Sequence, residues 1–442
     1  MLWQKSKPPS PIGKNLFLKR IYIIKAIILT VTTFEWVFLV HQKTWRNYAM
    51  SKALEFVDEQ LVIDLTKRLI KTPSVSGNEN KLRTLLAIEM TKAGFTEVKY
   101  DENNNIVGKM PGQGTGKTLL LASYIDTVPP GTMEDAFNPK EIDGSKLGTK
   151  GKVITGRGAV DMKSSLAAMI CVASAFKRTR SRLKGDFIVV GLANTKSGKN
   201  LGIKKLIDKF ELAPDYIVVG APTNLNINVS HPGQAIFEVL AKGKMGNIGY
   251  QEVSENAILK MNRIISCLNE NINLPKDKLY GQAQMFFSSI ISNPVDATHS
   301  IPDLCHSLLV RQYFENEDPE QIKSAIKTTL SKNNFKEGVD FLINLRRHFR
   351  PFKAPDDSEI IQHLSKAFEL VTKKSTQIGF WKGAVNISEI FKVDTPIVGF
   401  GPGNEKFANT VNEHVPISQL VTAFKVYTVL AEKICVQLKA KA

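Results

Sequence analysis

Cysteine and histidine are both scarce in this 442-residue chain, which contains four cysteines and seven histidines. The cysteines lie far apart and form no Cys-x-x-Cys pair, so the sequence indicates neither a disulfide framework nor a zinc knuckle. Low-complexity tracts and short-period repeats are absent too, and 43% of the residues are hydrophobic, as in an ordinary folded protein. A chain of this length favours two domains over a single core. We expect buried free thiols at Cys171, Cys267, Cys305 and Cys435.

A continuous basic stripe and a recognisable nucleic-acid motif are also missing, although the formal net charge is +17. Residues 1–49 form a basic N-terminal extension, with eight Lys or Arg against one acidic residue, a net charge of 8 − 1 = +7. The other 393 residues therefore share 17 − 7 = +10. A charge spread so thinly indicates a solvated basic surface, and we expect no nucleic-acid partner.

The extension contains an apolar stretch, residues 21–40, of about the length that crosses a bilayer. Lys25 and Glu35 oppose insertion, since each charge is costly at the membrane centre. Met50 begins an amphipathic pattern that predicts a helix over residues 53–71 and would suit the start of a soluble enzyme. Two hypotheses stay open: a membrane-anchored protein if the stretch spans, and a cytoplasmic protein made from Met50.

Short β-rich runs alternate with helical patterns in the first half of the chain, which favours an α/β sheet covered by helices on both faces. From Val229 the order changes to β-α-β-β-α-β, which is typical of a ferredoxin-like unit. We predict a large domain of residues 50–228 and 346–442 with a smaller α+β domain, residues 229–345, inserted in it. The cleft of such a protein is expected between the domains, at the carboxyl ends of the large sheet.

Five motifs occur in order and at plausible spacing between residues 53 and 440. They are "SYIDTVPPG" (123–131), "GRGAVDMKSSLAA" (156–168), "VVGAPTNL" (218–225), "HSIPDLCHSLLVRQ" (299–312) and "VGFGPGNEKFANTVNEHV" (398–415). Together they resemble the M20 metallopeptidase family, which includes acetylornithine deacetylase, succinyl-diaminopimelate desuccinylase, aminoacylase and carboxypeptidase G. The resemblance implies a zinc-peptidase-like α/β/α catalytic-type domain with an inserted ferredoxin-like lid and dimerisation domain.

Members of that family bind two zinc ions and hydrolyse amide bonds, using a bridging carboxylate, terminal ligands and a glutamate base. The resemblance implies that Asp126 and the bridging Asp161 are retained here. Of five expected metal ligands only Asp161 remains, and no histidine of the chain lies at or beside a ligand position. The substituted positions are Tyr124 and Asn409 for histidine ligands, Thr195 and Lys196 for paired glutamates, Ala221 for an acidic ligand and Asn247 for the lid histidine.

Three further residues are candidates for substrate binding. Arg311 falls near the place where relatives hold a substrate carboxylate, and it could equally pair with a surface acid. Gly401 and Gly403 border the expected cleft, and they would also suit tight strand-to-helix turns in any α/β fold.

Three functions follow from the sequence. The main hypothesis is a catalytically inactive homologue of zinc-dependent N-acyl amino acid amidohydrolases and peptidases, without a cofactor and kept for binding or partnership. The alternative is an active amide hydrolase with two zinc ions, acting on a small acylated amino acid or peptide. A third, a basic membrane-tethered binding module, rests on residues 21–40 alone. The resemblance also implies a homodimer through residues 229–345.

The substitutions raise the question of what neutralises Asp161, because a buried unpaired carboxylate is costly. Lys196 replaces a glutamate that would face the metals, so it brings a positive charge to the same wall. We therefore predict that the Lys196 ammonium, with the Tyr124 hydroxyl and the Asn409 amide, occupies the metal position and hydrogen-bonds Asp161.

Overall fold

The computed structural model describes residues 51–196, 202–295, 298–385 and 395–436. The predicted extension and the apolar stretch at residues 21–40 lie outside the described residues. Residues Ala53–Ala442 form one unit. Within the four described ranges, one segment, Ala159–Thr179, is long and apolar enough to cross a membrane, and 94% of its apolar window is buried in the fold, as in a core helix.

The first predicted helix, over residues 53–71, is divided in the structure. A 3-10 turn covers Lys52–Phe56, and an α-helix begins only at Glu59. The break lies at Asp58, whose carboxylate accepts a hydrogen bond from the Leu61 backbone N at 3.1 Å and so caps a new helix. The α-helices of the described residues, in chain order, are α1 (Glu59–Lys71), α2 (Asn80–Ala93), α3 (Ser164–Thr179), α4 (Gly202–Lys209), α5 (Ala257–Asn271), α6 (Pro319–Lys332), α7 (Glu359–Thr372) and α8 (Ile417–Cys435).

The strands of the described residues divide between a large mixed sheet, a smaller antiparallel sheet and several short pairings. In chain order they are β1 (Glu97–Tyr100), β2 (Ile106–Met110), β3 (Leu119–Tyr124), β4 (Glu141–Asp143), β5 (Lys152–Thr155), β6 (Phe187–Leu192), β7 (Tyr216–Val219), β8 (Ile227–Asn228), β9 (Ser230–His231), β10 (Gly233–Lys242), β11 (Gly246–Asn247), β12 (Lys276–Asp277), β13 (Gly281–Gln282), β14 (Met285–Asn293), β15 (Ser300–Ile301), β16 (Leu304–Tyr313), β17 (Phe341–Phe349), β18 (Phe352–Lys353), β19 (Ile378–Gly379), β20 (Ile397–Gly399) and β21 (His414–Pro416).

The large sheet has the order β1-β2-β6-β3-β7-β20-β8-β19, and β3 lies parallel to both β6 and β7 at its centre. Successive residues of β3 point to opposite faces and both faces are covered. Leu119 and Leu121 pack in the core that contains α3 and α8, whereas Leu120 and Ala122 pack in a second core with Leu206. Burial on both faces explains the continuous apolar run of β3 and confirms the predicted α/β fold.

The smaller sheet has the order β14-β16-β10-β17, and every pairing in it is antiparallel. Its strands and the helices α5 and α6 follow the predicted β-α-β-β-α-β order. Both helices cover one face, where Phe237 packs with Ile264 and Ile326. The opposite face of the smaller sheet lines the cleft. Strand β17 continues through the predicted domain limit at 345/346, and the exact domain limits stay a prediction.

Two β-bulges interrupt the smaller sheet on its outer strands. Ile236 pairs with Arg347 and Phe237 pairs with Leu345, so Arg346 is an extra residue in β17. Ser288 is likewise extra in β14, between partners of β16. A bulge changes the direction of the side chains next to it and is frequent beside binding sites.

Candidate functional site

A cleft of about 690 Å³ lies between the two sheets. One wall is formed by residues that follow the carboxyl ends of the large-sheet strands, such as Tyr124 at the end of β3 and Ala221 after β7. The other wall is the uncovered face of the smaller sheet, including Ile236 and Val310. The cleft lies where the sequence predicts it, because parallel strands bring their carboxyl ends to one edge.

Asp126 is fully buried just after β3 and anchors the loop that follows β6. Its carboxylate accepts hydrogen bonds from the Ser76 hydroxyl, from the Thr195 hydroxyl at 2.7 Å and from the Lys196 backbone N at 2.9 Å. Because β3 and β6 are parallel neighbours, these groups come together at the same end of the sheet. Asp126 therefore holds Thr195 and Lys196, the two residues that the sequence predicts in place of the paired glutamates.

Asp161 and Lys196 form an ion pair at the base of the cleft. The Lys196 Nζ lies 2.6 Å from Asp161 Oδ2, and Asn409 Nδ2 donates to the same oxygen at 3.2 Å. Nζ also lies 4.9 Å from the centroid of the Tyr124 ring. The predicted pair is confirmed, and so is the contribution of Asn409. The contact from Tyr124 that the structure shows is made by the ring face, where the prediction named the hydroxyl.

Burial and neighbouring charges act in opposite directions on the pair. Burial opposes the charged ammonium and lowers the pKa of Lys196, but the Asp161 carboxylate, with smaller effects from Asp126 and Glu413, outweighs it and leaves this pKa raised. The side chain of Asp161 is only 8% exposed and that of Lys196 20%. The cleft therefore contains a fixed positive charge against a nearly buried carboxylate.

Two further carboxylates lie close to Asp161. Glu413 is fully buried, pairs with Arg157 at 2.5 Å and accepts hydrogen bonds from the backbone N of Val160 and of Asp161, both at 3.1 Å. Glu405 lines the cleft. Burial, with a contribution from Asp161, raises the pKa of both glutamates. Acidic groups this close favour cations among them: Arg157 pairs with Glu413, and in the described part of the chain the Lys196 ammonium is the cation that contacts Asp161.

The side chains around Asp161 do not fit a pair of zinc ions. Tyr124 offers its ring, Ala221 a methyl group and Asn409 an amide, whereas zinc prefers imidazole, thiolate and carboxylate ligands. Lys196 lies on the oxygen of Asp161 where a cation would bind. Within the ranges that the structure describes, no group of three or more His, Cys, Asp or Glu side chains could hold a metal ion.

Two residues that the sequence singled out, the binding candidate Arg311 and the lid-histidine position Asn247, do not line the cleft. The Arg311 guanidinium is buried and pairs with Glu317 at 2.7 Å, while another of its nitrogens donates to the carbonyl of Gln312 at 3.1 Å. Asn247 is exposed, and its side chain accepts a hydrogen bond from the Gly249 backbone N at 2.9 Å. The ion pair between Arg311 and Glu317 matches the predicted alternative, in which Arg311 pairs with a surface acid.

Gly401 and Gly403 lie beneath the wall and allow close packing. A Cβ at Gly401 would lie 2.6 Å from the Ala221 carbonyl oxygen, and one at Gly403 would lie 2.0 Å from Val160 Cγ2. Gly403 also has a φ of +89°, which side chains rarely adopt. The structure thus gives both glycines a packing role beneath the wall.

The sequence did not single out two arginines of the smaller sheet, Arg346 and Arg347, which both line the cleft. Alternation along a regular strand would send neighbouring side chains to opposite faces, so the pattern alone gave no reason to pair them. The bulge at Arg346 is what brings both to one side. Two consecutive arginines in a strand were the one available signal.

Known proteins resemble the chain over nearly all of the described residues. The model of peptidase family M20/M25/M40 matches residues 120–433. A succinyl-diaminopimelate desuccinylase from Hydrogenovibrio crunogenus is 26% identical over 382 residues, covering 83% of this chain and 96% of that enzyme. A dipeptidase structure from Saccharomyces cerevisiae has a TM-score of 0.71 at 15% identity, covering 88% of this chain and 99% of that one. A dinuclear metal binding peptidase from Bacillus subtilis has a TM-score of 0.56 at 14% identity, with 84% and 97% coverage.

Proposed function

This chain belongs to peptidase family M20/M25/M40, and from that premise we propose that it binds a small acylated amino acid or peptide in the cleft without zinc-dependent hydrolysis. The ion pair between Lys196 and Asp161 carries this proposal. An ammonium on the carboxylate that would bridge two metals is incompatible with a divalent cation at the same place, because like charges in a nearly buried site repel strongly.

The substitution of the other metal ligands also supports binding without zinc-dependent hydrolysis. Zinc affinity depends on the number and type of ligands, and here Asp161 would act without an imidazole or a second carboxylate at the family positions. Thr195 and Lys196 replace the glutamates, so no carboxylate stands at those positions to serve as a base for a metal-bound water.

Ligand binding does not need a metal, and the dimensions of the cleft support it. A volume of about 690 Å³ lies within the range of small-molecule sites. Its walls combine apolar side chains such as Leu308 and Trp381 with charged groups on both walls of the cleft, including Lys196 and Arg346. A pocket of this kind orients a ligand by a few polar contacts while burying its apolar parts.

A second candidate is a metal-dependent amide hydrolase of the same substrate class. Family membership favours it, as does the resemblance to a desuccinylase over 96% of that enzyme's length. The motif aspartates Asp126 and Asp161 are also retained. The two candidates differ in whether the wild-type site takes up metal.

Metal content and turnover of the purified protein distinguish them. After dialysis against zinc and gel filtration, we expect wild-type protein to contain no stoichiometric zinc and to leave N-succinyl and N-acetyl amino acids intact. A variant with Tyr124→His, Lys196→Glu, Ala221→Glu and Asn409→His should gain zinc, and adding Asp161→Asn should abolish the gain. Stoichiometric zinc on the wild type, or turnover that a chelator abolishes, would overturn the proposal in favour of the hydrolase.

The proposal includes a homodimer through residues 229–345. Strand β14 is an edge of the smaller sheet and carries apolar side chains that are more than half exposed, Phe286, Ile290 and Ile291. Exposed edges of this kind tend to pair with another chain.

A further inference from the structure

A dense basic cluster lies at residues 177–184, which have the sequence "KRTRSRLK". Five of these eight residues are Lys or Arg and none is acidic. The segment contains the last turn of α3 and most of the loop that leads into β6. The average charge of the chain indicates a dispersed basic surface, and it conceals this local concentration.

Intramolecular ion pairs neutralise only part of the cluster. Arg178 pairs with Asp58 at 3.2 Å, and its side chain is still 49% exposed. Arg180 and Arg182 are exposed, and in the described part of the chain neither forms an ion pair. Unpaired exposed guanidiniums are available to an anionic partner.

A groove of about 610 Å³ borders the cluster, between α1, α2 and α3. Its acidic residue, Glu89, pairs with Arg68 at 2.8 Å, so the other cations of the groove keep their charge in excess. An acidic headgroup beside an apolar chain matches such a groove. Exposed cations border it and apolar side chains line it, the former being Lys92, Lys177 and Arg178 and the latter Leu61, Leu65 and Ile170.

The chain enters and leaves the folded unit next to the cluster. Ala53, the first residue of the unit, donates its backbone N to the Glu432 carboxylate at 3.4 Å, in the last turn of α8. The Cys435 carbonyl, in the same turn, accepts a hydrogen bond from the Lys184 backbone N at 2.6 Å. The last turn of α8 therefore joins the entry point of the chain to the basic cluster.

The sequences attached at these two points are themselves basic. Residues 1–49 have a net charge of +7 and include the apolar stretch 21–40, and residues 437–442 contain two lysines and no acidic side chain. A bilayer matches both properties, because its anionic headgroups attract Lys and Arg and its interior accepts apolar side chains. A nucleic acid would match the charge alone.

We infer that residues 177–184 and the groove beside them bind the anionic surface of a lipid bilayer. Clusters of about four to eight Lys or Arg bind anionic headgroups in this way. The cluster precedes β6, whereas Lys196 of the cleft follows the other end of that strand. A molecule bound through the cluster therefore keeps its cleft open to water. The inference does not depend on which ligand the cleft binds.

Flotation of the full chain with lipid vesicles tests the inference. Vesicles of phosphatidylcholine are compared with vesicles that also contain phosphatidylserine. Arg180→Gln combined with Arg182→Gln should lower partitioning onto the anionic vesicles by about fivefold per arginine, about 25-fold together, and leave partitioning onto phosphatidylcholine unchanged. Residues 1–49 are present in every variant, so their contribution cancels in the comparison.

Three further variants separate local charge from total charge. Lys332→Gln combined with Lys336→Gln is the matched control, because both lysines are exposed at the end of α6 and the pair removes the same charge. The control and the charge-conserving Arg180→Lys with Arg182→Lys should both stay within about twofold of the wild type. Lys92→Gln, at the groove, should weaken partitioning about fivefold. Circular dichroism verifies that each variant is folded.

Equal partitioning of the wild type onto the two kinds of vesicle, or equal partitioning of the wild type and the double arginine variant, would overturn the inference. Tighter binding to single-stranded RNA than to the anionic vesicles at the same salt concentration would assign the cluster to a nucleic acid instead. Neither zinc content nor turnover enters these measurements, so failure of this inference is distinct from failure of the proposed function.

Discussion

Replacing Lys196 by methionine tests whether its ammonium stabilises the fold in place of a metal. The substitution keeps most of the aliphatic side chain and removes the charge. It leaves Asp161, 8% exposed, with the Asn409 amide at 3.2 Å as its remaining described side-chain donor. Removing one member of a buried ion pair costs about 3–5 kcal/mol, because the other charge is stranded.

The open side of the cleft lowers that figure. The Lys196 side chain is 20% exposed, so water can enter and solvate part of the stranded carboxylate. Repulsion from Glu405 and Glu413 acts in the other direction once the ammonium is gone. We expect Lys196→Met to lower the free energy of unfolding by about 2–3 kcal/mol at pH 7.

Urea denaturation followed by circular dichroism and fluorescence measures this change, and coincident transitions verify two-state unfolding. A double-mutant cycle with Asp161→Asn isolates the pair, and the double variant should be more stable than Lys196→Met alone. Lys92→Met is the matched control, because Lys92 is 69% exposed and its Nζ lies 3.4 Å from Glu89. This substitution should change the free energy of unfolding by no more than about 0.5 kcal/mol.

Two results would refute this reasoning. If the free energy of unfolding of Lys196→Met lies within about 0.5 kcal/mol of the wild-type value, the ion pair does not stabilise the fold more than solvation of Asp161 by water does. If the double variant is no more stable than Lys196→Met, the loss does not come from stranding Asp161.

Three further predictions concern other parts of the molecule. Burial lowers the pKa of His231 from 6.5 to about 4, so the native state favours the neutral ring. The free energy of unfolding should therefore fall by about 3 kcal/mol as the pH decreases from 6.5 to 4. Urea titrations should show a smaller decrease in His231→Gln, and an equal decrease in both proteins would contradict this prediction. A Cβ at Gly399 would lie 2.0 Å from the Trp381 ring, so Gly399→Ala should cost about 1–3 kcal/mol in thermal unfolding, whereas the exposed Gly249→Ala should be near neutral. Sedimentation should find a dimer that Ile290→Glu on β14 dissociates, and a wild-type monomer at micromolar concentration would remove that prediction.

The large sheet and the ion pair could be predicted because each depends on a strong local signal. Continuous apolar runs such as Leu119–Ala122 belong to strands that are buried on both faces, and their alternation with helices indicates an α/β fold. The motifs fixed the position of Lys196 relative to Asp161. A cation opposite a buried carboxylate then follows from charge alone.

Features that depend on tertiary geometry could not be predicted. Tyr124 presents its ring to Lys196, and the orientation of an aromatic side chain is set by neighbours that are distant in sequence. Arg346 and Arg347 share a face only because of a bulge, which strand periodicity does not reveal. Arg311 is held by Glu317, six residues later, through a turn whose shape the residue pattern does not specify.

The charge beside Asp161 is part of the polypeptide. A metal ion can be removed by a chelator, exchanged for another metal or withheld when supply is low, and a site that depends on it changes accordingly. The Lys196 ammonium is made with the chain at one copy per molecule and remains there. Under the proposed function, the shape and polarity of the cleft do not depend on the metal composition of the surrounding solution.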